Sequence, residues 1–258
     1  MKKSATGAPF LKRISIRPER VDGKLFPFNR LAFLNDPDFA LSFPGCVTFF
    51  VGENGSGKST VLEAIAALCE FPEEGGSHDH RRAAASDGQR GRLADALRAA
   101  WLPRVRTGFF LRAESFFNLA AYIDETGDIQ NVYGGRNLHA QSHGESVMAL
   151  LTNRLRDMGR AVILMDEPEA ALSPSRQLAF LALLRNWEAL GTVQVIIATH
   201  SPILLCYPGA TIYRFDDDSI TETTVEETDH YRVTKAFLAD PARYLAEIFG
   251  DRQADDAI

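Results

Sequence analysis

Three nearly unbroken apolar runs organise the chain: Val47-Thr48-Phe49-Phe50-Val51, Ala161-Val162-Ile163-Leu164-Met165 and Val193-Gln194-Val195-Ile196-Ile197-Ala198. They are short, rich in β-branched residues and lack polar alternation. That pattern predicts strands buried on both faces, as in a parallel sheet. Helical spacing follows each of the first two, over about Lys58–Glu70 and from Ser173-Pro174 to Leu190, where Ser173 is in N-cap position, Pro174 opens the helix and Gly191 stops it. Further strands are expected over residues 11–17 and at Gly108–Leu111. A hairpin is expected from Thr211–Phe215 to Ile220–Val225 across Asp216-Asp217-Asp218-Ser219. Helices are expected at Leu93–Leu102, at Glu145–Asp157, at His230–Leu238 and at Pro241–Phe249, the last with Asp240 as cap and Gly250 as stop. Residues 26–44 and 72–92 read as loops, and 115–140 mix short helix and loop. Strands alternating with helices predict an α/β fold: a mainly parallel sheet flanked by helices, with an antiparallel β element and a small helical lobe at about 113–160. A single domain is expected over 1–258, closing on C-terminal helices at about 226–258.

Composition adds little to this picture. The 258 residues are 45% hydrophobic and 24% charged with a net charge of -6, ordinary for a folded globular chain and wrong for a generally basic nucleic-acid binder. The distribution is uneven: residues 1–30 hold eight Lys/Arg against two acids, and residues 214–258 hold five basic residues against twelve acids. Seven arginines lie between Arg81 and Arg106, a pattern that fits a solvated face better than a phosphate-binding one. Cys46, Cys69 and Cys206 are odd in number and far apart, which fits a reducing, cytoplasmic compartment. The uncharged stretch Ala189–Tyr213 is broken by Gly191, Pro202 and Pro208, so no transmembrane segment is expected.

Chemistry enters at Gly52-Glu53-Asn54-Gly55-Ser56-Gly57-Lys58-Ser59, which fits G-x-x-x-x-G-K-[ST] and lies between a buried strand and a helix. Glycines let backbone N–H groups turn in around phosphate oxygens, and the helix start adds the positive end of its dipole. Lys58 is placed to reach the β/γ-phosphates, Ser59 to ligate Mg²⁺, and Thr60 to extend the first turn beside the phosphates. This is the hallmark of a P-loop NTPase. The second buried strand delivers Asp166-Glu167 at its carboxyl end, where open α/β sheets bind ligands. Asp166 there suits Mg²⁺, and Glu167 suits general-base catalysis on a water attacking the γ-phosphate. The third strand ends in Thr199-His200-Ser201-Pro202, which puts an imidazole within reach of the same phosphate. Ser142-His143-Gly144-Glu145 opens a helix; by itself it matches an S-x-x-E capping box.

These four features, in this order, resemble the ATP-binding-cassette ATPases, nearest the small stand-alone SMC/RecF-like members, over about residues 11–225. The resemblance implies that Ser142-His143-Gly144-Glu145 stands on the signature motif, with His143 in place of a glycine and Glu145 in place of glutamine. It implies that Ser142 and Gly144 bind the nucleotide held by a second subunit, that Leu172-Ser173 belongs to the loop at the dimer contact, and that His200 is the switch histidine. The family's Q-loop glutamine is missing: the strand ending near Arg112 is followed by Ala113-Glu114, so Glu114 is the candidate metal ligand there. Among Phe26, Phe28, Phe33 and Phe39 no adenine-stacking residue stands out.

The resemblance implies ATP hydrolysis by a head-to-tail homodimer that closes on ATP and opens after hydrolysis, acting on a nucleic-acid or protein partner. The alternatives are the nucleotide-binding subunit of a transporter with a separate permease chain, and a non-hydrolysing binding module. Lys58 and Asp166 lie only 108 positions apart with no heptads between them, which excludes a long-armed clamp.

Overall fold

The computed structural model describes residues 7–72, 75–76, 91–112, 143–154 and 159–250. Six strands form the main sheet. They are β3 (Val47–Gly52), β5 (Gly108–Arg112), β6 (Ala161–Asp166), β7 (Val193–Ala198), β8 (Thr211–Phe215) and β9 (Ile220–Thr223), in the order β5-β6-β7-β3-β8-β9. All pairings are parallel except β8 with β9. A second, antiparallel sheet has the order β2-β1-β4, with β1 at Leu11–Ile16, β2 at Ala40–Ser42 and β4 at Leu97–Trp101. The helices are α1 (Lys58–Leu68), α2 (Gly91–Ala96), α3 (His143–Ala149), α4 (Pro174–Leu190), α5 (Pro202–Leu205), α6 (Asp229–Ala239) and α7 (Pro241–Phe249).

The apolar runs are unbroken because both faces of the sheet are covered. Alternate residues of one strand go to different cores. Phe50, Val162, Leu164, Ile196 and Ala198 join the cluster shared with α1 and the antiparallel sheet. Phe49, Val51, Ile163, Met165, Val195 and Ile197 join the opposite cluster with Phe180, Leu184 and Trp187 of α4. Gln194 is the exception: it lies on the first of these faces, fully buried. Its side-chain oxygen accepts from the Phe10 and Leu11 N–H groups at 2.8 Å each, and its amide donates to the Leu11 carbonyl at 2.9 Å. One side chain thereby fastens β1 to the middle of the main sheet.

Two expectations change. Leu93–Leu102 is not one helix: α2 ends at Ala96 and the chain turns straight into β4. Leu97-Arg98-Ala99-Ala100-Trp101 is alanine-rich and favours helix locally, but pairing with β1 from Leu97↔Ile16 to Trp101↔Leu11 wins. Residues 26–44 are not all loop, since β2 pairs with β1 there and Ala32–Asn35 form a 3₁₀ turn. The helix expected from about Glu145 to Asp157 is α-helical to Ala149 and continues as a π-helical stretch at Leu150–Arg154. Most of the 72–92 loop and of the helical lobe lies outside the described residues. The helix stops hold: Gly191 and Gly250 both have φ 64°. Asp240 caps α7 by accepting from the Arg243 N–H at 3.2 Å. Ser173 stands in N-cap position, but its hydroxyl makes no capping bond.

Candidate nucleotide site

β3, β6 and β7 are neighbours in the sheet and run the same way, so the residues after their last apolar positions converge on one edge. The Gly52–Ser59 loop leaves β3 there. Gly52 has φ +153°, and a Cβ on it would stand 2.3 Å from the Phe215 carbonyl oxygen, so the loop's first turn demands glycine. The buried Lys58 ammonium donates to the Gly52 and Glu53 carbonyls at 2.8 Å each, bracing the loop from inside. Burial pulls the Lys58 pKa down, against the upward pull of Glu167, Asp166 and Glu53.

At the end of β6 the Ser59 hydroxyl donates to Asp166 Oδ1 at 2.9 Å, so two residues 107 apart in sequence meet at one point. Burial pushes the Asp166 carboxyl up to about 6, opposed by that hydrogen bond and by Arg112. Arg112 is a residue that sequence reasoning missed. It ends β5 in register with Asp166 and is only 14% exposed. It pairs with Glu63 of α1 at 2.7 Å, and its second nitrogen lies 3.9 Å from Asp166 Oδ2. The reasoning that picked out Asp166, the first charged residue after a buried strand, also points to Arg112.

Glu167 follows in a left-handed conformation, φ 50° and ψ 54°, with its side chain 45% exposed. His200 leaves β7 with its N–H bonded to a Glu169 carboxylate oxygen. Its ring lies between two groups: Nδ1 is 2.7 Å from His230 Nε2, and Nε2 is 3.5 Å from Glu167 Oε1, too far for a good hydrogen bond. Burial, then Lys58 and His230, lower the His200 pKa. Burial raises that of Glu169. Among the described residues, five buried side-chain polar atoms lack a hydrogen-bond partner; Ser56 Oγ, Glu169 Oε2 and His200 Nε2 all lie around this loop. Polar atoms left unsatisfied in one place suit a polar ligand there.

Gly144 lies near the start of α3, buried, where a Cβ would stand 2.7 Å from the Ala171 carbonyl oxygen. Glu145 pairs with Arg176 at 3.1 Å, which ties α3 to the start of α4. Ser142 and Glu114 lie outside the described residues. Of the four phenylalanines considered for adenine, Phe26 is 43% exposed, while Phe28, Phe33 and Phe39 are buried.

A strand–loop–helix cradle after β3, with an acidic residue at the end of β6 one strand removed across β7, defines a P-loop NTPase. Comparison with known proteins narrows this class. Residues 111–205 match the family described as "AAA domain, putative AbiEii toxin, Type IV TA system". The hemin import ATP-binding protein HmuV of Burkholderia thailandensis is 30% identical over 194 residues, covering 62% of this chain and 71% of that protein. The "Putative phosphonates utilization ATP-binding protein PhnK" of Escherichia coli is 30% identical over 191 residues, covering 64% and 73%. An SMC head domain from Thermotoga maritima matches at 15% identity and a TM-score of 0.47, covering 83% of this chain and 98% of that one. The chain belongs to the ATP-binding-cassette family of P-loop ATPases. Among the described residues, no helix is long and apolar enough to cross a membrane.

Proposed function

We propose that the protein works as an ATP-driven switch in which two copies sandwich ATP and act together on a nucleic-acid or protein partner. The observation that carries this reading is the convergence of Lys58, Ser59, Asp166, Glu167 and His200 on one sheet edge. In this reading the Gly52–Ser59 backbone cradles the phosphates. Lys58 exchanges its two loop carbonyls for the β/γ-phosphate oxygens. The oxygen pair of Ser59 and Asp166 fits a hard cation, so these residues would hold Mg²⁺, which neutralises charge on the β- and γ-phosphates. Glu167, exposed beside them, accepts the proton of the attacking water, and His200 donates through Nε2 to the γ-phosphate. Ser142 and Gly144 of the second copy close the site from the far side. Glu114 remains a candidate for the same cation. The single-domain reading of 1–258 and a cytoplasmic location belong to this proposal.

A second reading, the nucleotide-binding subunit of a transporter, draws on the two relatives, one of them named for hemin import. In the resemblance, transporter subunits use the Q-loop region to dock on the membrane partner. Here the Q-loop glutamine is missing from the sequence after the strand that ends in Arg112, which weighs against that docking. Capture with a trapped Glu167→Gln protein separates the two: a membrane permease on the beads supports the second reading, and nucleic acid or a non-membrane protein supports the first. Lys58→Ala tests the site itself. It should abolish ATP turnover, and unchanged turnover would end the assignment.

A further inference from the structure

His230 has no place in the scheme so far, yet it makes the shortest side-chain contact of the switch histidine. It is the second residue of α6, 30 positions beyond His200, and its Nε2 lies 2.7 Å from His200 Nδ1 with the ring centroids 4.8 Å apart. A contact this short between two ring nitrogens is a hydrogen bond with one proton in it. Who donates decides which nitrogen of His200 carries the other proton. If His200 donates from Nδ1, its Nε2 is a bare acceptor. If His230 donates from Nε2, His200 carries its proton on Nε2.

The surroundings choose between these. His200 Nε2 faces the Glu167 carboxylate at 3.5 Å and has no hydrogen-bond partner of its own. A bare nitrogen lone pair aimed at a carboxylate is repelled, whereas an N–H is attracted. Both rings are held neutral, because burial lowers both pKa values and Lys58 acts in the same direction on each; Glu53, Glu167 and Asp229 pull the other way. Two neutral imidazoles with an acceptor at one end leave one arrangement, with the proton between the rings coming from His230.

We infer that His230 is a positioning residue for ATP hydrolysis: by donating to His200 Nδ1 it fixes His200 in the Nε2–H tautomer and aims that N–H at the site of the γ-phosphate. The inference rests on the proposed role of His200, and it ties helix α6 to the nucleotide, where sequence reading left the C-terminal helices without a task. Orienting partners of this kind are worth about 10–100-fold where they have been removed from other sites.

The test uses the full chain. His230→Leu should lower kcat about 10–100-fold with little change in KM for ATP. His230→Gln, whose amide N–H can donate in place of Nε2–H, should recover most of the rate. ¹⁵N-histidine spectra should show His200 wholly as the Nε2–H tautomer in the wild type and in His230→Gln, and as a mixture of both tautomers in His230→Leu. A Leu variant with normal kcat, or one whose His200 stays wholly in the Nε2–H tautomer, overturns the inference. His200→Ala separates the two failures: a normal rate there removes the role of His200 itself, whereas a crippled His200→Ala beside a normal His230→Leu removes His230 alone.

Discussion

Glu167 is held with φ at 50°, a conformation that costs a non-glycine residue about 1–3 kcal/mol. The strain sits one residue past Asp166, where the backbone swings the carboxylate out to the open side of the sheet. Glycine relieves such strain and removes the carboxylate proposed as the base. Glu167→Gly should therefore keep or raise thermal stability while lowering kcat about 10²–10⁴-fold. Melting curves run beside turnover check both halves, and a marked loss of stability would contradict the strain assignment. The two histidines predict a pH effect on the protein without nucleotide. Both have folded-state pKa values below the ordinary 6.5, so the unfolded chain binds protons first on acidification. Their contribution to stability is full above about 6.5 and is lost as pH falls through the depressed values. Denaturation followed from pH 8 to 5 should show this slope, and the slope should shrink in His230→Gln.

Elements were legible where one force dominated. The three apolar strands, the loop after β3 and helices α1 and α4 all follow from local pattern, and burial on both sheet faces makes the strand runs almost wholly apolar. β2 and β4 were not legible. Both owe their state to pairing with β1, a partner distant in sequence, and Leu97–Trp101 even carries a local preference for helix. The site divides the same way. Lys58 opens α1 after the phosphate loop, and Asp166, Glu167 and His200 sit at strand ends, all of which sequence marks, while His230 reaches the site only through the packing of α6, for which no spacing rule exists. Gln194, like Thr48, was visible as a polar residue inside an apolar run, but its partners were not. Its three bonds to Phe10 and Leu11 make it costly to replace. Gln194→Leu leaves buried backbone groups unpaired and should destabilise the protein by about 3 kcal/mol or more, measured by urea titration.

At the scale of the molecule, part of the acidic C-terminal charge borders the phosphate loop, since Asp216, Asp217 and Asp229 line one pocket with Gly52, Glu53 and Ser56. Of the twelve acids in residues 214–258, Asp216, Asp217 and Asp218 lie on the β8–β9 turn and Asp229 and Glu247 on α6 and α7, helices that bury no residue completely. A sandwich of two copies makes a direct prediction. Glu167→Gln with ATP should elute as a dimer and the same protein without nucleotide as a monomer. Elution as a monomer at high concentration with ATP would count against the sandwich. Motion in such a cycle has to be located somewhere, and Gln194 limits where. The antiparallel sheet cannot slide on the main sheet without breaking three buried hydrogen bonds at once, so β1 and β7 are expected to travel together. Whatever hinge the ATP cycle uses must therefore lie outside that seam, and cross-links placed across it from β1 to β7 should leave turnover intact.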